Sequence, residues 1–221
     1  MSVWAILVAA GRGERLGLDH PKAFAKLGED PLLAEPLRRL DDSEWIDAIV
    51  LVAPPGWEEP SILLAEELGC GKVSACVAGG ETRAASVRAG LAEVPADAVA
   101  VLVHDAARPL LPAAVIERVL GALGEGWDGV VPGLPVPDTL KRVDDDGAVL
   151  ETVARDSLYS VQTPQAFSVD VLRRAVAAGA DATDCAALVE AAGGRVKVVP
   201  GDPLLLKVTT ADDLAKIAAW L

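Results

Sequence analysis

The sequence predicts an α/β fold: a Rossmann-like, mostly parallel, twisted sheet with helices on both faces and a protruding β-hairpin arm. Short, nearly continuous apolar runs alternate with segments of helical periodicity along most of the chain, a pattern typical of parallel strands buried on both faces. The first apolar run ends in a glycine turn. A more polar segment with an Asp-Gly pair interrupts the alternation and predicts the hairpin.

The elements follow from where each apolar run ends and the next helical period begins. Strands are predicted over residues 3–9, 46–53, 72–78, 98–104, 128–132 and 195–199. Helices are predicted near 32–41, 58–69, 82–93, 112–123, 168–178, 184–192 and 210–220. Because such alternation builds one sheet, we expect residues 1–221 to form a single domain with a sizeable core.

The interrupting segment, residues 138–154, predicts two short strands around an Asp-Gly turn. We expect an arm inserted at about 136–156. A hairpin alone is marginally stable in water, so it needs a surface to pack against. The interpretation we favour is a homodimer in which the arm meets the same arm of a second subunit. The alternative is an arm folded onto its own domain.

Composition and charge exclude several classes of protein. A net charge of −13 disfavours nonspecific binding to nucleic acid or to anionic membranes. No apolar run is long enough to span a bilayer, and the first apolar run lacks the basic flank of a signal peptide. Three cysteines without a CxxC pair argue against a disulfide framework or structural zinc, and they fit a cytoplasmic protein.

Residues 5–24 predict a site for a polyphosphate. The apolar run ends in a turn with Gly11 and Gly13, and two cations follow, Arg15 and Lys22. Glycines allow backbone N–H groups to approach a phosphate closely, and the cations add fixed positive charge. The spacing fits neither the P-loop nor the dinucleotide fingerprint, whose third glycine is replaced by Leu16. An ordinary strand-to-loop turn is the alternative.

Other predicted strand ends belong to the same edge of the sheet, where ligands of open parallel sheets bind. Segment 79–87, GGETRAASV, offers glycines and donors at a helix start, although an ordinary capped connection is the alternative. Asp105 follows a very apolar strand and is our candidate Mg²⁺ ligand, with an N-cap or a salt bridge to Arg108 as the alternative. Lys207 ends an apolar run, which favours a phosphate-facing role over snorkelling. His104 is expected to face the interior, without a catalytic role.

Six motifs, in this order, give the chain a resemblance to a known family: AAGRGERLG…PKAF, GGETRAASV, VHDAARP, DTLKR, TPQAF and KVTTADDL. The chain resembles the 2-C-methyl-D-erythritol 4-phosphate cytidylyltransferases of the non-mevalonate isoprenoid pathway from Ala5 to Leu214. The first motif recurs in many nucleotidyltransferases, whereas the combination of the third, fourth and fifth is much more specific. The resemblance implies transfer of a cytidylyl group from CTP to methylerythritol phosphate, with Mg²⁺ or another divalent cation.

The resemblance also implies roles for individual residues. Arg15 and Lys22 match cations that stabilise the transition state, and Arg155 and Lys207 match residues that position the acceptor. The nucleotide-binding matches are Ala9, Ala10, Gly11, Gly13, Gly80, Glu81, Ser86 and Ala106. The substrate-binding matches are Asp105, Arg108, Thr139, Arg155, Thr163, Thr183 and Lys207, with Asp105 also the metal ligand. In the family the arm reaches across a dimer, which assigns Thr139 and Arg155 to the neighbouring subunit's site.

Two positions depart from the family pattern, and three other functions compete with it. Cys185 stands where a further acidic residue commonly follows Thr183-Asp184, and Ala85 replaces a residue that is often polar. The nearest rival is a cytidylyltransferase for another polyol phosphate, such as ribitol 5-phosphate. A dinucleotide-binding oxidoreductase is disfavoured by the failed glycine spacing. A catalytically silent nucleotide-binding module would have little reason to keep the cations together.

Overall fold

A computed structural model of the chain describes residues 2–11, 13, 16–178 and 182–221. The strands are β1 Ser2–Val8, β2 Lys26–Leu27, β3 Asp30–Pro31, β4 Ala48–Ala53, β5 Val73–Ala78, β6 Ala98–Asp105, β7 Gly129–Pro135, β8 Leu140–Val143, β9 Val149–Val153, β10 Tyr159–Val161, β11 Gln165–Ser168 and β12 Val196–Pro200. The helices are α1 Ala34–Asp41, α2 Glu58–Glu67, α3 Arg83–Glu93, α4 Ala113–Leu123, α5 Val169–Ala177, α6 Cys185–Ala191 and α7 Ala211–Ala218, with short 3₁₀ turns at Lys22–Phe24 and Pro203–Leu205.

The main sheet is mixed but mostly parallel, which confirms the predicted fold class. Its strand order is β10-β7-β11-β6-β1-β4-β5, and β12 pairs with β7. Strands β6, β1, β4 and β5 run parallel to one another, and so do β12 and β7. Strands β10 and β11 run antiparallel to their partners. The four adjacent parallel strands β6, β1, β4 and β5 therefore end at one edge of the sheet.

Helices cover both faces of this sheet, as the apolar strands require. Alternate residues of β1 belong to opposite cores: Leu7 packs in the core formed with α1, α2 and α4, and Ile6 in the core formed with α3, α5 and α6. Both side chains are fully buried. A smaller apolar cluster joins α7 to the β2–β3 ribbon and includes Leu27 and Ile217. No helix of the described ranges is long and apolar enough to cross a membrane.

The predicted hairpin is present as the antiparallel pair β8–β9, outside the main sheet. Its turn contains Gly147 with a φ of +83°, a conformation that favours glycine. Asp144 stabilises the turn because its carboxylate accepts hydrogen bonds from the N–H groups of Asp146 and Ala148. Val149 and Leu150 are exposed on this arm at 60% and 62%. The arm thus leaves apolar side chains on its surface.

The prediction failed to identify one buried strand. Strand β11 overlaps the TPQAF motif and pairs antiparallel with both β6 and β7. Its four residues are too few for a period to stand out, and the preceding proline marks a turn rather than a strand. The short ribbon β2–β3 and strand β10 were missed for the same reason.

Two helical glycines allow a test of the packing between helix and sheet. A Cβ on Gly90 of α3 would lie 2.7 Å from Ile6 Cγ2 and 2.8 Å from Val52 Cγ2, whereas one on Gly121 of α4 would meet nothing within 4 Å. We expect Gly90→Ala to lower the free energy of unfolding by about 1–3 kcal/mol through overpacking. Gly121→Ala should raise it by about 0.5–1 kcal/mol.

Urea denaturation of both variants beside the parent chain measures these changes. The two substitutions add the same methyl group to a helix, so their difference isolates the contact with the sheet. Equal effects of the two substitutions would contradict the close approach of α3 to β1 and β4.

Candidate active site

A cavity of about 720 Å³ opens at the edge where the central parallel strands end. Backbone hydrogen bonds hold the four strand ends together: Ala9 N–H donates to Val52 O, Gly79 N–H to Ala53 O, and Ala106 N–H to Val8 O, at 2.8, 2.8 and 3.0 Å. The described residues that line the cavity include Val8–Gly11, Leu18–Ala23, Pro54, Pro55, Trp57, Gly79–Arg83, Ser86, Asp105–Ala107 and Lys207. This volume lies within the range of small-molecule sites in proteins.

Glycine at position 13 brings the first loop against Lys22. Its φ is +71°, and a Cβ there would lie 2.5 Å from Lys22 Cβ. The Lys22 ammonium donates to the carbonyl of Val208 at 3.0 Å, so the lysine also meets the segment beside Lys207. Lys22 also lines the cavity. Arg15, the other predicted cation of this loop, lies outside the described residues.

The two glycines of the second loop permit a similarly close approach. A Cβ on Gly79 would lie 2.1 Å from Ala10 Cβ, and one on Gly80 would lie 2.5 Å from Ala85 Cβ. Gly80 N–H donates to Ser86 Oγ at 3.1 Å, which orders the loop against α3. Thr82 caps this helix by accepting from the N–H of Ala85 at 3.0 Å. The structure therefore brings Ala9–Gly11 of the first loop and Gly79–Arg83 of the second loop to the same cavity.

Asp105 lies at the end of β6 between two cations from distant segments. Its Oδ1 accepts from Arg83 Nε at 3.0 Å, and its Oδ2 accepts from Lys207 Nζ at 2.7 Å. Burial of the residue, which is 6% exposed, would raise its pKa, but the charges of Arg83 and Lys207 hold the pKa well below its usual range. The carboxylate is thus ionised at neutral pH. Its partners differ from the predicted alternative, a salt bridge to Arg108.

Arg83 is a site residue that our assignment of roles left out. Burial would lower its pKa, but Asp105 and the sulfur of Cys185 outweigh that effect and raise it. Its Nη1 donates to Cys185 Sγ at 3.3 Å. Its Nη2 is buried and, within the part of the chain that the structure describes, has no hydrogen-bond partner. The sequence signal was present, because Arg83 follows two glycines at a helix start.

Cys185, the departure from the family pattern, lies at the start of α6 and is buried. Burial raises the pKa of its thiol. The neutral sulfur consequently offers Arg83 a weak acceptor where a carboxylate would form an ion pair. Its neighbour Asp184 caps α6 by accepting from the N–H of Ala187 at 2.9 Å, and Thr183 is exposed. Cys185 therefore joins the network around Asp105.

Arg108 and Thr163 are engaged within the protein rather than directed into the cavity. Arg108 Nη1 donates to the carbonyl of Leu205 at 2.5 Å, and its buried Nε has no partner among the described residues. Thr163 is buried, and its hydroxyl oxygen accepts from Asp105 N–H at 3.1 Å. Neither side chain belongs to the cavity lining. Both support the strand end that carries Asp105.

Thr139 and Arg155 also lie outside the cavity of their own subunit. Both are exposed at the base of the arm, where the Arg155 guanidinium donates to the carbonyl of Pro137. Trp57, by contrast, lines the cavity and packs against Phe24 with ring centroids 4.6 Å apart. No pattern in the sequence indicated Trp57, because its place depends on the course of the loop after β4.

Among the residues that the structure describes, the cavity lining carries charges of both signs. Lys22, Arg83 and Lys207 converge there in a chain whose net charge is −13. Asp105 neutralises part of this charge at the floor, and Asp19 and Glu81 are exposed members of the lining. No three His, Cys, Asp or Glu side chains of the described ranges form a metal-binding group. The arrangement suits an anionic ligand that brings its own cation.

His104, which is buried next to Asp105, allows a test of the protein interior beneath the cavity. Burial lowers the pKa of this ring to about 4 and outweighs the hydrogen bond to the Arg108 carbonyl and the charge of Asp105, which both raise the pKa. Between pH 6.5 and 4 the unfolded chain binds the proton more readily than the folded one. The contribution of His104 to the free energy of unfolding is therefore fully present above pH 6.5. It is lost as the pH falls towards 4, and the total loss is about 3 kcal/mol.

The free energy of unfolding, measured by urea between pH 7 and pH 4, checks this sign and size. We expect a His104→Gln variant to be less stable at pH 7 and to lose less stability on acidification than the parent chain. Equal slopes for the two proteins over this interval would show that His104 is not held neutral by the fold.

Comparisons with known proteins agree with this geometry. The family model described as "IspD: 2-C-methyl-D-erythritol 4-phosphate cytidylyltransferase" matches residues 3–221. Proteins of that name from Saccharopolyspora erythraea and Nocardia farcinica are 49% and 48% identical, with 100% and 96% of this chain and 100% and 91% of theirs covered. The crystal structure of the Thermus thermophilus enzyme of that name is 35% identical, with a TM-score of 0.79 over 100% of this chain and 98% of that one. The chain therefore belongs to the family of 2-C-methyl-D-erythritol 4-phosphate cytidylyltransferases.

Proposed function

We propose that the chain transfers the cytidylyl group of CTP to 2-C-methyl-D-erythritol 4-phosphate, giving 4-diphosphocytidyl-2-C-methyl-D-erythritol and pyrophosphate. Membership of the family supports this reaction. The observation that carries it is the convergence of Lys22, Arg83 and Lys207 on a cavity between two glycine loops in a strongly acidic chain. Such a cavity suits two phosphorylated reactants.

The chemistry requires positioning and electrostatic stabilisation rather than a side-chain nucleophile. An oxygen of the acceptor phosphate attacks the α-phosphorus of CTP and forms the new P–O bond. The bond from the α-phosphorus to the α–β bridging oxygen breaks, and pyrophosphate leaves with its electron pair. The attacking phosphate oxygen is already ionised, so no base has to remove a proton. Fixed cations lower the barrier because they stabilise the charge that builds on the transferred group.

The two glycine loops are our proposed nucleotide site. The close approach at Gly79 places backbone along the cavity wall without a side chain in the way, and the close approach at Gly13 lets the first loop pack against Lys22. Lys22 enters this wall and is assigned to the CTP phosphates, together with Arg15. The remaining proposed nucleotide contacts are Ala9, Ala10, Gly11, Gly80, Glu81, Ser86 and Ala106, which all line the cavity.

Lys207 is our proposed contact to the acceptor phosphate within the same subunit. Its ammonium is held at 2.7 Å by Asp105 and still lines the cavity, with its side chain 40% exposed. A cation already fixed at the site needs little reorganisation when the phosphate binds. Arg108, which was predicted to bind substrate, is better assigned to holding the Leu205 segment next to Lys207. Thr183 remains a proposed acceptor contact.

A divalent cation, which enzymes of this family generally require, fits the site only together with CTP. Each oxygen of Asp105 accepts from one cation and keeps a further lone pair. Mg²⁺ commonly takes one or two carboxylates and completes its shell with substrate phosphates and water. We therefore propose Mg²⁺ with Asp105 as its protein ligand. When bound, the ion would neutralise phosphate charge during the transfer.

The organisation of the whole chain is part of the proposal. Residues 1–221 form one catalytic domain, with the arm at about 136–156 as an insertion. The two main cores on opposite faces of a single sheet support this assignment. All three cysteines are free, which is compatible with a cytoplasmic enzyme.

Release of pyrophosphate tests the reaction directly. The chain is incubated with Mg²⁺ and CTP, and methylerythritol 4-phosphate and ribitol 5-phosphate are supplied as parallel acceptors. We expect release with methylerythritol 4-phosphate and little with ribitol 5-phosphate. Preference for ribitol 5-phosphate would keep the mechanism and overturn the substrate. CTP binding without release from either acceptor would overturn the proposed reaction.

The cation assigned to the acceptor can be tested with a matched surface lysine. We expect Lys207→Ala to lower kcat about 10²–10³-fold, because it removes a fixed charge from the transition state. Lys197→Ala is the control, since that lysine pairs with Glu125 on the surface at 2.7 Å. Steady-state kinetics of both variants measure the two kcat values. Similar kcat values for Lys207→Ala and Lys197→Ala would exclude a role of Lys207 in the mechanism.

We also propose a homodimer in which the arm completes the partner's site. Thr139 and Arg155 lie outside the cavity of their own subunit, at the base of an arm with exposed Val149 and Leu150. An exposed apolar hairpin gains stability when a second surface covers it. In a two-fold dimer the arms would then exchange Thr139 and Arg155 between the sites.

Mixed dimers test this exchange of residues. Co-expression of Arg155→Ala and Lys207→Ala chains gives heterodimers in which one of the two sites is intact. Random pairing should restore about a quarter of parental activity. Lys22→Ala with Lys207→Ala is the control, because these lysines line one cavity and every site then keeps a lesion. No recovery with the first pair would contradict an arm that serves the partner.

A further inference from the structure

A buried hydrogen-bonded network lies behind the carboxylate of Asp105, outside the cavity lining. His104 is 0% exposed and Thr163 is 4% exposed. The ring nitrogen Nδ1 of His104 lies 3.1 Å from Thr163 Oγ1, and Nε2 lies 3.0 Å from the carbonyl oxygen of Arg108. The N–H of Asp105 donates to Thr163 Oγ1 at 3.1 Å.

The chemistry of these groups fixes the direction of every hydrogen bond. A carbonyl oxygen only accepts, so His104 Nε2 carries the proton and donates to Arg108. In a neutral ring Nδ1 is then an acceptor, and the Thr163 hydroxyl must donate to it. The oxygen of that hydroxyl in turn accepts from Asp105 N–H. The network therefore has one consistent arrangement, in which each group is satisfied.

This network fixes the backbone on both sides of Asp105. Thr163 holds the N–H of Asp105 from the segment before β11, and His104 holds the carbonyl of Arg108 at the far end of the turn. Within that turn, the carbonyl of Ala107 accepts from Val208 N–H at 2.7 Å, which ties it to the segment that carries Lys207. A shift of the Asp105 backbone would therefore change the distance from its carboxylate to Lys207.

We propose that His104 and Thr163 are positioning residues for the transfer reaction, acting through Asp105 on Arg83 and Lys207. This inference rests on the proposed function. The family resemblance implies a direct substrate contact for Thr163, and in the structure its buried hydroxyl donates to His104 and accepts from the N–H of Asp105, which supports the positioning role. Correct placement of the two cations depends on the carboxylate between them, and small displacements of catalytic groups lower rates strongly.

The first test removes the Thr163 hydroxyl with little change in shape. We expect Thr163→Val to lower kcat about 10- to 100-fold, because Asp105 N–H and His104 Nδ1 lose their partner. Thr163→Ser keeps the hydroxyl and should retain most of the rate. The KM for each substrate should change little. A rise in the acceptor KM with kcat unchanged would instead establish a direct substrate contact.

A double-mutant cycle tests whether the effect passes through Asp105. In an Asp105→Asn background, where the carboxylate no longer pairs with the cations, Thr163→Val should cost kcat about twofold or less. A full-sized effect in that background would overturn the proposal. Ser43→Ala is the stability control, because Ser43 is 6% exposed and also accepts a backbone N–H, from Trp45 at 3.4 Å, away from the cavity. It should keep the parental kcat.

A readout without turnover separates this proposal from the proposed function. Nitrogen NMR of the His104 ring should show the Nε2–H tautomer in the parent chain and in Thr163→Ser, and an altered Nδ1 signal in Thr163→Val. If pyrophosphate release fails but the NMR signals behave as expected, the network stands and the reaction is wrong. An unchanged Nδ1 signal in Thr163→Val, or a loss of thermal stability with parental kcat, would overturn the positioning role.

Discussion

The buried carboxylate of Asp105 is the constraint on which the geometry of the site depends. A charge that is 6% exposed is costly unless it is paired, and its partners come from α3 and from the segment before α7. Those partners, Arg83 and Lys207, are 22 and 102 residues away in the chain. The pairing of one carboxylate therefore links three segments at the end of a deeply buried strand.

This pairing also explains how an acidic chain presents cations to an anionic substrate. Without a counter-charge, the cations of the cavity would repel one another and would attract other anions. Asp105 instead holds Arg83 and Lys207 in place before substrate arrives. The buried network of His104 and Thr163 supports the same carboxylate from behind. The site is thus built in layers: cations at the cavity, one carboxylate beneath them, and neutral groups beneath the carboxylate.

The glycines and the arm contribute in different ways. Gly13 and Gly79 act locally, because a side chain at either position would collide with Lys22 or Ala10. The arm acts at a distance, since it carries Thr139 and Arg155 away from the cavity of its own subunit. A complete acceptor site in our proposal therefore needs a second subunit, while the proposed nucleotide site is complete in one. Binding of the nucleotide would then depend on the tertiary structure of one subunit, and binding of the acceptor on the dimer.

The sequence by itself determined the fold class, the arm and most of the cavity lining, because these depend on patterns within short segments and on the order of those segments along the chain. Apolar periodicity located the central strands, and the topology of a parallel sheet placed Gly79 and Asp105 at one edge. Only the tertiary structure decided what each polar side chain touches. It paired Asp105 with Arg83 rather than Arg108, and it buried Thr163 behind the strand. Those contacts join segments far apart in the chain, so no spacing within a motif encodes them.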